Sequence, residues 1–360
     1  MKIAYCATVQ PSYGGLRTFN HGLVQALFER ASLRGDSFFV ICPEKDRKAF
    51  AHIPESNVRT FNGNHFWFES AVLPGLLRRE AIDFSIFPHN RMPVWGTLPG
   101  KSSVIIHDLL FWRFPEQFKG LKRFTRYFFM SQALKKADLV FSVSEFTADE
   151  LRAFGFQKPI HVCLEGIEPL AKQPLMDKPG RFPADKPFFL FIGASSFQKN
   201  LPSLIGAFEQ LRKNGNDCRL ILAGGRGTES ERVRSLVEAS PFSSDIMLPG
   251  FITEEEKAFL LQTAVAFVFP SVYEGFGIPI LEAFQFGCPV LCSNCASLPE
   301  VAGDAALVCP ADSSSLSKGM QQVLHNDTLR NSLREKGHTR WKEFTWERAA
   351  QLVENQFLSL

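Results

Sequence analysis

The chain has 360 residues, 45% hydrophobic and 21% charged, with 40 lysines and arginines against 37 aspartates and glutamates for a formal charge of +3. That length exceeds one ordinary core and predicts two domains of about 150–180 residues. With no long basic run and no recognition motif, nucleic acid is excluded as a partner.

In chain order, the N-terminus runs directly into a strand at 3–8. It lacks a signal-peptide core, and no apolar run approaches the roughly 18 residues of a membrane span, so a cytoplasmic protein is expected. The loop Tyr13-Gly14-Gly15 then leads into a helix; its glycines serve either close backbone approach to a ligand or a plain tight turn. Strands are expected at 38–42, 84–87, 103–107, 139–143 and 160–164. The run at 103–106 ends in His107 and Asp108, at the carboxyl edge of a sheet where ligands bind. Residues 1–165 carry 21 basic and 15 acidic side chains, against 19 and 22 in the remainder, so the first half prefers anionic partners. Much of the excess lies in 118–136, a basic and aromatic stretch. It suits peripheral contact with anionic membrane. Equally, Leu121, Phe124 and Phe128 stand at helical spacing and suit a core stripe with solvated cations opposite. Ser144 with Thr147 in the next turn reads as a helix N-cap.

The stretch 169–187 is rich in proline and charge, has no apolar period and reads as a linker. Beyond it, strands are expected at 188–192, 219–223, 246–248, 265–269, 289–293 and 306–309. Alternating strands and helices predict an α/β protein of two doubly wound parallel sheets, 1–168 and 188–343, facing an interdomain cleft. Lys199 follows a strand and precedes a helix, where an ammonium reaches phosphate oxygens that helix N–H groups already cradle.

The most informative stretch is 271–283, SVYEGFGIPILEA, an apolar strand running into a glycine loop and then a helix. Gly275 and Gly277 admit close backbone approach, Pro279 suits the first helical turn, and Gly287 stops the helix. The N–H groups of residues 276–280, with Phe276 and Ile278 among them, are expected to point out of the loop and favour phosphate. A carboxylate beside a phosphate is repelled by it, so Glu274 and Glu282 are read as acceptors for sugar and ribose hydroxyls. For Glu282 the rival is a first-turn acid complementing the helix dipole. Six of the eight cysteines fall in or beside apolar runs, implying a reduced compartment. Cys288, Cys292 and Cys295 have no nearby fourth ligand, so no metal is expected.

These residues resemble the retaining glycosyltransferases of family 4, with the two Rossmann-like domains of the GT-B fold. Glu274 to Glu282 resembles that family's E-x7-E signature. Lys199-Asn200 resembles the end of G-x-x-x-x-R-K-N, from which Gln198 and Ala194 depart. His107-Asp108-Leu109 followed by Phe114-Pro115-Glu116 resembles bacterial GDP-mannose-dependent mannosyltransferases, and Ser297 to Gly303 also matches the family's wording. Phe344-Thr345-Trp346-Glu347-Arg348 resembles the start of a last helix, 344–360, that crosses back onto the first domain. The resemblance implies hexose transfer, mannose favoured, with retained configuration, from GDP-mannose or a UDP-hexose to a glycan or lipid-linked acceptor in surface polysaccharide or lipopolysaccharide synthesis. It implies His107, Glu274 and Lys199 as catalytic groups, and Gly14, Gly15, Lys199, Gly275, Phe276, Gly277, Ile278 and Glu282 as donor-binding, with no cofactor. No Asp-x-Asp pair is present for a metal-held diphosphate. Rival readings keep the fold as a sugar-nucleotide epimerase or phosphorylase, or as a degenerate scaffold motivated by Ala194 and Gln198.

Overall fold

The computed structural model describes residues 1–8, 15–118, 120–169, 180–182 and 185–360. Tyr13, Gly14 and most of the stretch expected as a linker lie outside the described residues. Two compact units form, Met1–Glu168 with Phe344–Leu360, and Pro169–Glu343.

The first unit holds a seven-stranded parallel sheet of β1 (Lys2–Cys6), β2 (Ser37–Pro43), β3 (Val58–Phe61), β4 (Phe84–Phe87), β5 (Lys101–Ile106), β6 (Leu139–Ser142) and β7 (Ile160–Val162), in the order β3-β2-β1-β4-β5-β6-β7. The second holds β8 (Phe188–Ile192), β9 (Arg219–Ala223), β10 (Ile246–Gly250), β11 (Ala266–Phe269), β12 (Val290–Ser293) and β13 (Ala306–Cys309), in the order β10-β9-β8-β11-β12-β13. Uninterrupted apolar runs such as Phe-Phe-Leu-Phe-Ile in β8 and Ala-Phe-Val-Phe in β11 are buried nearly throughout, because helices cover both faces of a parallel sheet. Strand β3 was not expected from sequence. Its residues Val58-Arg59-Thr60 are half-buried or exposed at the sheet edge and present no continuous apolar run.

The helix Trp346–Leu358 belongs to the first unit and packs on the helix Gly15–Arg34. Gly22 makes the approach possible: a Cβ there would lie 2.1 Å from the Trp346 ring. Arg30 ties the pair by ion pairs to Glu347 and Glu354.

The helix Leu121–Lys136 departs from one of its two readings. Met130, Ala133 and Leu134 supply its buried stripe, whereas Leu121 is 75% and Phe124 65% exposed, with Phe128 also exposed. All eight cysteines are free, and burial pushes the Cys288 and Cys292 thiols up to about 12, which makes them inert apolar packing at neutral pH. Among the described residues no helix is long and apolar enough to cross a membrane.

Candidate active site

In the second unit the loops leaving β8 and β11 come together at the carboxyl end of the sheet. After β8 the chain makes a tight turn, Phe197–Lys199, and Asn200 adopts a left-handed conformation with φ of 55° before the helix Leu201–Lys213. Asparagine tolerates that conformation better than other side chains. Its amide also donates to the Pro270 carbonyl at 3.2 Å and the Ala311 carbonyl at 2.8 Å. The Val272 N–H donates to the Gln198 carbonyl at 2.8 Å. The lysine turn is thereby fixed to the loop that carries Glu274.

The Lys199 Nζ lies 2.6 Å from Glu274 Oε1 and 4.7 Å from the centre of the Phe269 ring. Both side chains are largely shielded, at 15% and 17% exposure, so the pair attracts through a poorer screen than water. The Phe269 face adds cation–π attraction for the ammonium. Within the glycine loop, the Ser297 hydroxyl donates to the Phe276 carbonyl and lies 3.0 Å from the Glu274 carbonyl. This gives the Ser297 to Gly303 match a local physical meaning: its first residue braces the loop.

Gly277, with φ of 136°, caps the helix Ile278–Gln285, and Gly287 follows at φ of 67°. The side chains of Phe276 and Ile278 are buried, so these residues offer the site backbone only. The expected row of outward amides at 276–280 is shorter than its sequence range. Pro279 has no N–H, and the Ile280 N–H closes on the Gly277 carbonyl at 2.9 Å, as a tight helical start demands. Ile278, as first helical residue, has no carbonyl within the helix to bond.

Glu282 is neither a free carboxylate nor a simple dipole complement. Lys257, from the helix Glu254–Thr263, donates to it at 2.9 Å and pairs with Glu254 at 2.7 Å. Burial pulls the Lys257 pKa down, but the Glu282 and Glu254 carboxylates outweigh it and hold it above the usual lysine range. Sequence reading missed Lys257, since Glu254 and Lys257 together look like an ordinary surface pair three residues apart.

The first unit holds His107. Its Nε2 donates to the Pro88 carbonyl at 2.8 Å and its Nδ1 lies 3.2 Å from Glu165 Oε1. Phe19 meets the ring edge-on at 4.5 Å. Both ring nitrogens are engaged and the residue is buried, the arrangement of an internally satisfied histidine. Glu165, also buried, was missed because 58 residues separate it from His107. The Asp108 side chain caps the Leu110 N–H at 3.0 Å, and Ser144 accepts from the Thr147 N–H at 3.0 Å. Gly15 starts the helix Gly15–Arg34, and Gly14 lies outside the described residues.

Two parallel α/β units of seven and six strands have the GT-B architecture. Solved structures bear out the architecture: a sucrose-phosphate synthase from Thermosynechococcus elongatus matches with TM-score 0.76 at 19% identity, covering 100% of each chain. HepE from Anabaena, solved with UDP and glucose, matches with TM-score 0.76 at 17% identity over 100% of both. Residues 13–169 match the model of Glycosyltransferase Family 4 and residues 172–340 that of glycosyl transferases group 1, and the chain belongs to this glycosyltransferase family. It is 30% identical over 349 residues to the O-antigen chain mannosyltransferase B of Escherichia coli, covering 94% of this chain and 83% of that one. It is 29% identical over 279 residues, 73% of this chain, to the serotype-specific mannosyltransferase WbdA of Escherichia coli, of which it spans 34%.

Proposed function

We propose that the protein transfers a hexose, mannose before others, from a nucleoside-diphosphate sugar to a glycan or glycolipid hydroxyl in cell-surface polysaccharide or lipopolysaccharide synthesis, retaining anomeric configuration and using no metal. The observation that carries this reading is the pair of lysine–carboxylate contacts flanking the Gly277 helix start, Lys199 with Glu274 and Lys257 with Glu282. Without donor, each acid is neutralised by an ammonium, which avoids a shielded unpaired charge. With donor, Lys199 stays on its fixed turn and turns another of its three N–H groups to the diphosphate, where it and the helix terminus stabilise the charge that develops on the leaving group. Glu274 then accepts hydroxyls of the transferred sugar, and Glu282 accepts those of ribose. GDP-mannose is the first choice of donor, supported by relatives that are mannosyltransferases, and a UDP-hexose the second. A contact of His107 with the donor sugar requires exchange of its bond to Pro88 or Glu165.

A thermal-shift panel of sugar nucleotides tests this, because a ligand bound only by the folded state raises stability by mass action. GDP-mannose should give the largest shift, and Glu282→Ala should reduce that shift while Glu274→Ala mainly lowers turnover. No shift with any sugar nucleotide would overturn the reading.

We further propose that the protein works at the inner face of an anionic membrane through the helix Leu121–Lys136. The exposed Leu121, Phe124, Tyr127 and Phe128 alternate there with basic side chains and no acid. Co-sedimentation with phosphatidylglycerol vesicles should be lost in Phe124→Ser with Phe128→Ser. Equal recovery of the wild type with neutral vesicles would refute the electrostatic part.

A further inference from the structure

A cavity of about 300 Å³ opens in the first unit between the last turns of the helix Leu121–Lys136 and the turn that joins the helix Glu145–Ala153 to β7. It lies where the chain is about to enter β6 and β7, at the amino edge of the sheet, whereas open parallel sheets bind their reacting ligands at the carboxyl edge. Leu134, Phe154 and Phe156 give it apolar walls, and Ser131, Lys135 and Lys158 also line it.

The turn has a fixed shape. The Gly155 N–H donates to the Arg152 carbonyl and the Phe156 N–H to the Leu151 carbonyl, each at 3.0 Å, the paired bonds of a helix that ends on a glycine, here with φ of 98°. Phe154 and Phe156 stand on either side of that glycine, which puts no side chain between them. Phe154 is held among the rings of Trp112 at 5.0 Å, Tyr127 at 5.4 Å and Phe111 at 6.4 Å. Trp112 and Tyr127 are exposed, so this aromatic wall reaches the surface. On the facing helix Phe124, Phe128, Ser131 and Lys135 follow at steps of four, three and four residues, which sets them in one ridge. Ser131 is the short side chain of that ridge and lines the cavity, so the exposed stripe of Phe124 and Phe128 leads into it.

Size and chemistry select the occupant. A cavity at the low end of ligand pockets admits a chain or a single ring, but not a helix about 10 Å across. A free phosphate would find only lysines, and the Lys158 Nζ is already spent on the Lys135 and Ala137 carbonyls, at 3.2 and 3.3 Å, where it satisfies the helix C-terminus. A sugar would turn most of its hydroxyls toward carbon and leave them unpaired. An alkyl chain meets carbon on the walls and gains by leaving water. Charge then says what the chain is attached to. The helix carries no acid, and Lys135 is exposed with no acidic partner among the described residues, which favours an anionic headgroup. A helix bound at an interface lies in the plane of the bilayer, so a cavity near its C-terminal end sits at the depth of Phe124 and Phe128.

We propose that this cavity takes one acyl chain of an anionic bilayer phospholipid, with Lys135 beside the headgroup. The inference rests on the membrane reading of the helix Leu121–Lys136 and adds to it a site for a single lipid.

The full chain is titrated by calorimetry with dihexanoyl phosphatidylglycerol below its micelle concentration, a probe that offers a lipid but no surface. Wild-type protein should bind it. Dihexanoyl phosphatidylcholine should bind about fivefold more weakly, the share of one basic side chain beside an anionic lipid, and glycerol phosphate not at all. Ser131→Phe, which fills the cavity from the helix, should abolish binding. Ser131→Asp should weaken it about tenfold or more by setting a carboxylate against the chain. Ser131 is only half-buried, so the aspartate keeps the test decisive if the phenylalanine disturbs folding. Phe124→Ser with Phe128→Ser should hold short-lipid affinity within about twofold, as a site removed from those side chains requires, while losing vesicles. Unchanged binding in both Ser131 variants, or glycerol phosphate bound as tightly as the lipid, would overturn the proposal. A wild-type dimer that the same variants dissolve would overturn it in favour of a second copy of the chain, and equal affinity for phosphatidylcholine would overturn the anionic headgroup. Protein that sediments with phosphatidylglycerol vesicles but ignores the short lipid would overturn it and leave the membrane reading standing; protein that does neither would overturn both.

Discussion

Lys199→Ala should lower kcat by about 10²–10³-fold, the range seen when one preorganised charge-stabilising donor is removed from a reacting site. The reason lies in how firmly the ammonium is presented. It sits over Phe269 and 2.6 Å from Glu274, on a turn fixed by the Asn200 amide to Pro270 and Ala311. A lysine that had to be ordered and desolvated during the reaction would contribute far less. Its removal has a second effect, since it leaves the Glu274 carboxylate without its partner in a shielded place, and this should cost about 1–2 kcal/mol of stability after allowance for residual exposure. The two effects separate in the double variant Lys199→Ala with Glu274→Gln, in which no charge is left unpaired. Its melting temperature should recover towards wild type while its turnover stays low. Recovery of turnover would assign Lys199 a purely structural role, and calorimetry with neither GDP-mannose nor GDP binding to the wild type would favour the scaffold alternative.

Much of this arrangement could be read before any coordinates. The runs that became β4, β8, β9 and β13 have sequence limits equal to their structural ones; β8 shows the reason best, since a strand covered on both faces is apolar without interruption. The glycine loop was equally legible: Gly277 and Gly287, both at positive φ, and Pro279 between them punctuate a helix by local rules. Partners set by strand order were not legible. Lys257 meets Glu282 across two helices, and Glu165 meets His107 across 58 residues, so no spacing announces either contact. The reading of Phe124 and Leu121 as core failed for a related reason. Helical spacing identifies a face of the helix, but which of two apolar faces packs inward depends on what lies beneath, here Met130, Ala133 and Leu134.

Gly224→Ala should be among the most damaging small substitutions in the second unit, at about 3 kcal/mol or more, which is about 10 °C in melting temperature for a domain of this size. Gly224 directly follows β9 with φ of 128°, a region that L side chains rarely adopt. An added Cβ would also lie 2.2 Å from the Gly193 carbonyl oxygen and 2.9 Å from its nitrogen, so the obstacle is backbone and cannot rotate away. The neighbourhood is laced tightly: the Gly193 N–H donates to the Ala223 carbonyl at 2.9 Å, the Glu229 N–H to the Ser195 carbonyl at 2.7 Å, and a Cβ on Gly227 would meet that same carbonyl at 2.4 Å. Relief therefore has to come from moving the 193–196 segment, which leads straight into the turn bearing Lys199. Gly215→Ala provides the matched control. Its φ is also positive, at 83°, but no atom lies within 4 Å of the new Cβ, so only the conformational share of about 1 kcal/mol should appear. Donor affinity should fall in the Gly224 variant and hold in the Gly215 variant, measured by calorimetry at a temperature where both are folded. Equal losses of stability at the two glycines would mean that the loops after β8 and β9 can part without penalty, and the rigid presentation of Lys199 would lose its physical basis.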